Sequence, residues 1–160
     1  MIYICIYNCC IYMNVEKVLK TDIEMPLRSK SIIHLILVYN SIGESLSNAL
    51  KPFDVSLQQF NVLRILRGQK GKPANLSTIN ERMVTKMSNT TRLVDKLLLK
   101  GFVERVTCIA NRRKVEITIT KKGDAILKKM DTVVNSTQAQ ILKNFSNEEL
   151  LQLNNLLNKF

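Results

Sequence analysis

Apolar positions along the chain follow two rhythms, one helical and one alternating. Over 31–50, Ile32, Ile33, Leu35, Ile36, Val38, Tyr39, Ile42, Leu46, Ala49 and Leu50 recur at helical spacing. They form a stripe wider than one packing face needs. Lys51-Pro52 ends that helix, because proline cannot continue the hydrogen-bond ladder. Ser56-Leu57-Gln58-Gln59 reads as a capping box, in which the first and fourth side chains satisfy each other's free backbone N–H. It opens a second helix to about Arg67, with Phe60, Leu63, Ile65 and Leu66 on its buried side. A glycine- and lysine-rich loop follows over 68–73. Two short helices then run over 77–83 and 86–100, separated by little more than Val84-Thr85. Leu76, Ile79 and Met83 face inward from the first, and Thr90, Leu93, Val94 and Leu97 from the second. Gly101 closes the pair, which has the layout of a helix-turn-helix.

After Gly101 the period drops to two. Residues 102–106 form a short strand, and Val115, Ile117 and Ile119 alternate with polar neighbours over 114–120. The polar loop 107–113 between them makes a hairpin, and a hairpin directly after the second helix is a wing. Thr120 can cap a long helix to about residue 144, through Ala125, Leu127, Met130, Val133, Val134, Ile141 and Leu142. Ser146-Asn147-Glu148-Glu149 is a second capping box. The helix it opens carries Leu150, Leu151, Leu153, Leu156, Leu157 and Phe160. The expected fold is mainly α with a small β-hairpin wing: a winged helix-turn-helix plus terminal dimerisation helices. We divide the chain into an apolar N-terminal extension (1–12), an N-terminal dimerisation segment and helix (13–55), a winged helix-turn-helix DNA-binding domain (56–122) and C-terminal dimerisation helices (123–160). Ile36, Leu150, Leu153 and Leu157 are the expected dimer contacts, because the terminal helices carry more apolar surface than one small fold can hide.

Charge sharpens this picture. The chain of 160 residues has a net charge of +11, and the stretch 64–122 holds 15 Lys/Arg against 4 Asp/Glu. The two flanking arms balance to zero, so the basic excess belongs to one central module between neutral arms. An anionic partner is implied, nucleic acid or a membrane surface. The opening MIYICIYNCCIY is apolar but only twelve residues long, short of the ~20 a membrane span needs. It lacks the basic start and cleavage site of a secretion signal. Met13 is the expected natural start, with a short added strand or helix as the alternative for 1–12. Sparse cysteines (Cys5, Cys9, Cys10, Cys108) and a single histidine, His34, give no metal-ligand spacing and no disulfide framework. A cytoplasmic protein without metal or cofactor is expected, and Cys108 reads as an inert thiol.

Function concentrates on the second short helix. At about 100° per residue, an inward Thr90, Leu93, Val94 and Leu97 send Ser88, Arg92 and Lys96 directly outward, with Asn89 and Thr91 beside them. Such side chains suit a major groove: arginine pairs with guanine, asparagine with adenine, and serine or threonine with bases or phosphates. Lys86 at the helix start can meet a phosphate. An ordinary solvated face would mix both signs of charge, yet Asp95 is the only acid over 86–100. On the wing, Arg112, Arg113 and Lys114 stand in series, where an arginine can enter a narrow minor groove.

Residues 76–123 resemble the winged helix of the MarR (multiple antibiotic resistance regulator) family. That family's pattern sets a helix-turn-helix ahead of L-x-x-x-G-x-V-x-R, a loop with D-x-R, and L-T-x-x-G. This chain reads Leu97-Leu98-Leu99-Lys100-Gly101-Phe102-Val103-Glu104-Arg105, then Asn111-Arg112-Arg113, then Ile119-Thr120-Lys121-Lys122-Gly123. The similarity extends over 31–160, because the long first helix and the closing helices match the family's dimerisation region. The resemblance implies that Arg113 is the minor-groove arginine. It departs from the pattern at Asn111, where the family often has an aspartate that orients the arginine.

The resemblance also implies a sequence-specific regulator of transcription. We expect a ligand-responsive repressor that binds pseudo-palindromic operators in double-stranded DNA as a homodimer, with a small-molecule effector of unknown identity. In the family, effectors usually sit between the dimerisation helices and the winged helix. Here His34, Tyr39 and Phe60 could line such a cleft, but each reads more simply as packing. The alternative is a winged-helix module that binds RNA or a protein without ligand control. Enzymatic readings find neither a Ser/His/Asp order nor a glycine-rich phosphate loop in the sequence.

Overall fold

The computed structural model of the chain describes residues 14–85, 89–107 and 115–160. The expected extension over 1–12 lies outside them. The described chain is mainly helical, with one two-stranded antiparallel hairpin: α1 (Val15–Leu19), α2 (Leu27–Leu50), a 3₁₀ turn (Lys51–Phe53), α3 (Leu57–Gly68), α4 (Leu76–Arg82), α5 (Thr90–Leu99), β1 (Val103–Thr107), β2 (Val115–Ile119), α6 (Lys121–Ile141) and α7 (Asn147–Leu157). Contacts divide it into two units, Met1–Ile42 and Gly43–Phe160.

In the first unit, Asn14 caps α1 by accepting from the Lys17 N–H (2.9 Å). The Lys30 ammonium sits 2.8 Å from the Glu16 carboxylate and, as the leading cause, holds that carboxyl below its usual range. The polar segment after Met13 thus forms a turn of helix that apolar spacing alone does not reveal. The long helix also starts earlier than position 31. The Pro26 carbonyl accepts from the Lys30 N–H (2.9 Å), and the first turn Leu27-Arg28-Ser29-Lys30 sets one exposed leucine among three polar residues, which adds nothing to the stripe.

The second unit holds one hydrophobic core. Leu50 from the end of α2, Phe60, Val62, Leu63 and Leu66 from α3, and Ile79 from α4 meet Val94 and Leu97 from α5. Val103 and Ile117 of the hairpin and Leu127, Met130 and Val134 of α6 complete it. Phe60 is therefore core. Each large apolar side chain buried this way contributes roughly 1.5–3 kcal/mol relative to exposure. Both capping boxes form: Ser56 with Gln59 opens α3, and Ser146 with Glu149 opens α7. Ala125, expected on the inner face of α6, is exposed, and the buried stripe there is Gly123, Leu127, Met130 and Val134.

The hairpin pairs Val103 with Ile119 and Arg105 with Ile117. Ala74, just before α4, makes an isolated antiparallel bridge to β2 by exchanging two backbone hydrogen bonds with Ile117 (3.0 and 2.8 Å). The sequence shows 68–73 only as a basic loop; the structure anchors its end to the wing strand. α7 buries no residue, and Leu151, Leu153, Leu156, Leu157 and Phe160 all stand exposed.

Candidate nucleic-acid interface

Helix α5 is held on three sides. Its inner face puts Val94 and Leu97 in the core, with Leu93 and Leu98 half-buried. At its start, the Thr90 hydroxyl donates to the Asn80 side-chain oxygen of α4 (3.1 Å), a polar tie across the turn between the two short helices. At its end, Gly101 takes φ +68°, the Gly101 N–H bonds to the Leu98 carbonyl (2.9 Å), and the Phe102 N–H bonds to the Leu97 carbonyl (3.0 Å). This double closure with a left-handed glycine satisfies carbonyls that a helix end would otherwise leave bare. The Lys122 ammonium takes the next one, Lys100 O, at 2.9 Å. The chain turns directly from α5 into β1, so the helix and the hairpin share one support.

A further tie joins them. The Arg105 guanidinium of β1 bonds the Asp95 carboxylate of α5. The only acid on that helix face is thus turned toward the hairpin. On the outer face, Thr91, Arg92 and Lys96 are exposed, and neither Arg92 nor Lys96 has a carboxylate partner among the described residues. What remains of α5's outer surface is cationic and polar.

Of the residues expected to contact DNA, the structure brings Asn89, Thr91, Arg92 and Lys96 to α5. The described helix begins at Thr90, and Asn89 is its N-cap residue, half-buried, with no capping hydrogen bond from its side chain. The helix expected from position 86 thus starts later at Asn89, whose non-helical backbone (φ −123°, ψ 20°) suits a cap and not an interior turn. Lys86, Ser88, Arg112, Arg113 and Lys114 lie outside the described residues, as do Asn111 and Cys108. Of the expected dimer contacts, Ile36 (52% exposed), Leu153 (36%) and Leu157 (43%) face solvent in this single chain, and Leu150 is half-buried.

Sequence reasoning missed a second polar cluster at the other end of α5. The Lys100 ammonium bonds both the carboxylate and the backbone carbonyl of Asp54, the residue that precedes α3 by three positions. Lys100 holds the Asp54 carboxyl below its usual range, first by that hydrogen bond and then by charge, with Lys96 adding to the field. The partners are 46 positions apart in the chain, and no local pattern announces the pair. Among the described residues there is no group of three His, Cys, Asp or Glu placed to hold a metal ion, and no helix long and apolar enough to cross a membrane.

Residues 55–115 match the family model described as MarR family. Solved structures match most of the chain. A putative MarR-like transcription regulator from Bacillus cereus ATCC 10987 is 25% identical, over 84% of this chain and 96% of its own, with a TM-score of 0.73. The apo form of wild-type MarR from E. coli is 27% identical over 86% and 98%, with a TM-score of 0.66. A mutant of the same E. coli protein, complexed with operator DNA, matches at 24% identity over 91% and 97%, with a TM-score of 0.71. BpsR of Bordetella bronchiseptica, whose DNA binding is regulated by 6-hydroxynicotinic acid, is 18% identical over 85% and 96%, with a TM-score of 0.74. Residues 55–115 thus match the MarR family model, within a mainly helical fold with one hairpin like that of the MarR-family transcription regulators the chain resembles.

Proposed function

We propose that this chain binds double-stranded DNA sequence-specifically as a homodimeric transcriptional regulator, with α5 as the helix that enters the major groove. The observation that carries this reading is the outer face of α5, where Arg92 and Lys96 stand exposed without acid partners while Asp95 is drawn aside by Arg105. Thr91 and Asn89 flank them with hydrogen-bonding groups suited to base edges. The operator complex of the E. coli relative supports the same use of the fold. Lys86 and Ser88, which precede α5 in the sequence, and Arg112, Arg113 and Lys114, between β1 and β2 in the sequence, extend the proposed contact surface to the phosphates and the minor groove. A ligand-responsive repressor is the form of regulation we favour, as the Bordetella relative's control by a small acid suggests. Such a protein works in the cytoplasm.

Two α5 helices related by a two-fold axis enter grooves one helical turn apart. The operator is then a pseudo-palindrome with half-site centres ~10 bp apart. Arg92→Ala tests the assignment by footprinting and titration. It should cost on the order of 1–3 kcal/mol at the operator and relax base preference at one position per half-site. A footprint without two-fold symmetry, or an Arg92→Ala protein with unchanged base preference, defeats it. Competition of duplex DNA against duplex RNA at matched salt decides the remaining question. The deep, narrow major groove of RNA excludes a helix, so DNA should win by a wide margin.

A further inference from the structure

Lys100, the residue that closes α5, is fastened through both its side chain and its backbone. Its ammonium bonds the carboxylate and the backbone carbonyl of Asp54. Its own carbonyl accepts from the Lys122 ammonium (2.9 Å), which also lies over the Phe102 ring, 5.3 Å from the ring centre. Asp54 closes the 3₁₀ turn through which the chain passes from α2 into α3, and its backbone is left-handed there, φ +52°. Lys122 stands in the first turn of α6. One residue thus joins the carboxyl end of α5 to the α2–α3 junction on one side and to the start of α6 on the other.

This fastening adds little to stability, because the Asp54 side chain is 95% exposed and ion pairs open to water are weak. Its geometry matters more. The core grips α5 near its middle, at Val94 and Leu97. The residues expected to read bases, Asn89, Thr91 and Arg92, stand at its other end from Lys100. Ten helical residues span about 15 Å, so a rotation of the axis by about 5° shifts that end by roughly 1 Å. A recognition constellation needs its side chains held within ~0.5 Å. Phosphate contacts made by long, flexible lysines absorb a shift of this size, whereas paired hydrogen bonds to a base edge do not.

We propose that Lys100 is a positioning residue for base reading: by holding Asp54 on one side and Lys122 on the other, it sets the tilt at which α5 presents Asn89, Thr91 and Arg92. Its part in DNA recognition rests on the DNA-binding reading above. Without the tie, α5 stays folded on the core but changes its tilt, so the protein keeps its attraction to any duplex and loses preference for its own site. Charge alone gives a different pattern. Lys100→Met removes a cation and Asp54→Asn removes an acid, so charge alone makes the two variants bind every duplex more weakly and more tightly, respectively. It leaves the ratio of specific to random-sequence affinity unchanged in both. Loss of position lowers that ratio in both, although their affinities for random sequence move in opposite directions.

The test uses the full chain and two labelled duplexes at one salt concentration: the duplex that the parent enriches from a random-sequence pool, and a shuffled version of it. Asparagine at position 54 tolerates the left-handed backbone and keeps an acceptor oxygen, so Asp54→Asn loses only the charge. The ratio of the two affinities should fall at least about tenfold in Lys100→Met, as when one paired base contact is lost. Asp54→Asn should lose less, because the Asp54 backbone carbonyl still holds the ammonium. Lys100→Arg, long enough to reach Asp54, should restore the parent's ratio. Lys129→Gln, which removes an equal charge from the exposed side of α6, should leave the ratio unchanged. Residual dipolar couplings of the α5 amides against those of α3 and α6, recorded without DNA, read the tilt directly. They should show the α5 axis rotated by several degrees in Lys100→Met and unmoved in Lys129→Gln. An unmoved axis in both Lys100→Met and Asp54→Asn overturns the positioning role whatever the protein does with DNA, and so does a parent-like ratio in Lys100→Met. A rotated axis in Lys100→Met, with a parent that enriches no duplex from the pool, supports the tie as what sets the tilt and overturns the DNA reading instead.

Discussion

Two glycines set the geometry around the candidate interface, for different physical reasons. Gly101 needs a left-handed backbone, φ +68°, to close α5, and any side chain there costs roughly 1–2 kcal/mol. Gly123 has an ordinary helical backbone but no room: a Cβ there would lie 2.0 Å from the Phe102 carbonyl oxygen. It sits in the first turn of α6, capped by Thr120, whose hydroxyl accepts from the Gly123 N–H (3.0 Å) and donates to the Gly101 carbonyl (2.8 Å). Alanine ordinarily improves a helix by up to ~1 kcal/mol over glycine. Here the clash is with backbone, which cannot swing aside, and overpacking of this kind costs roughly 1–3 kcal/mol or more. The clash wins. Gly123→Ala should therefore lower stability by about 2 kcal/mol, with an unchanged denaturant slope. A stabilised Gly123→Ala protein would mean that α6 and Phe102 are not packed as described.

At the scale of elements, the tie between α5 and the hairpin separates two properties that usually travel together. The Asp95–Arg105 pair joins side chains that are each about half exposed, and such a pair contributes under ~1 kcal/mol to stability. Asp95→Asn should leave the melting temperature within a few degrees. It also deletes the one acid beside Arg92 and Lys96, so affinity for any duplex should rise at low salt. The hairpin, no longer fixed to α5 by charge, is then less well ordered for specific contact. We expect the ratio of operator to random-sequence affinity to fall, even though both affinities are measured on a more cationic surface. An unchanged ratio at matched salt would show that the tie does not set specificity. The elements themselves were largely legible. Capping boxes at Ser56 and Ser146, the inward set of α4 and α5, and the alternation of the hairpin strands are local signals, and the structure follows them. What escaped the sequence depends on distance along the chain. The Ala74–Ile117 bridge and the Lys100–Asp54 pair each join positions more than 40 residues apart. Gln59 is instructive, because its capping role explained the residue completely until the structure left its nitrogen unpaired. The start of the long first helix escapes the sequence for the opposite reason: its first turn, one leucine among three polar residues, carries no periodic signal.

For the whole molecule, the decisive question is how the exposed apolar surface and the concentrated charge act together. α7 buries nothing in the single chain, and Ile32, Leu35, Ile36 and Tyr39 of α2 are likewise exposed. Apolar faces of this extent are covered in obligate dimers, whose interfaces exceed ~2,000 Å². Because the core of the second unit takes no buried residue from α7, charge introduced on that helix should disrupt association without dissolving the core. Leu153→Asp with Leu157→Asp is the variant that exploits this. The parent, with two basic modules on one operator, should show a log–log salt slope of roughly −5 to −10. A folded monomer presents one module, so its slope should be about half as steep. Its operator affinity should drop by several orders of magnitude, because the second half-site is no longer bound at high effective concentration. Sedimentation and circular dichroism establish that the double variant is a folded monomer, and anisotropy titrations over a range of salt give the slope. A parent already monomeric at micromolar concentration removes the dimer from the proposal. A folded monomeric variant that keeps the full slope and affinity shows that one chain suffices to fill the operator, and the two-fold reading of the site fails with it.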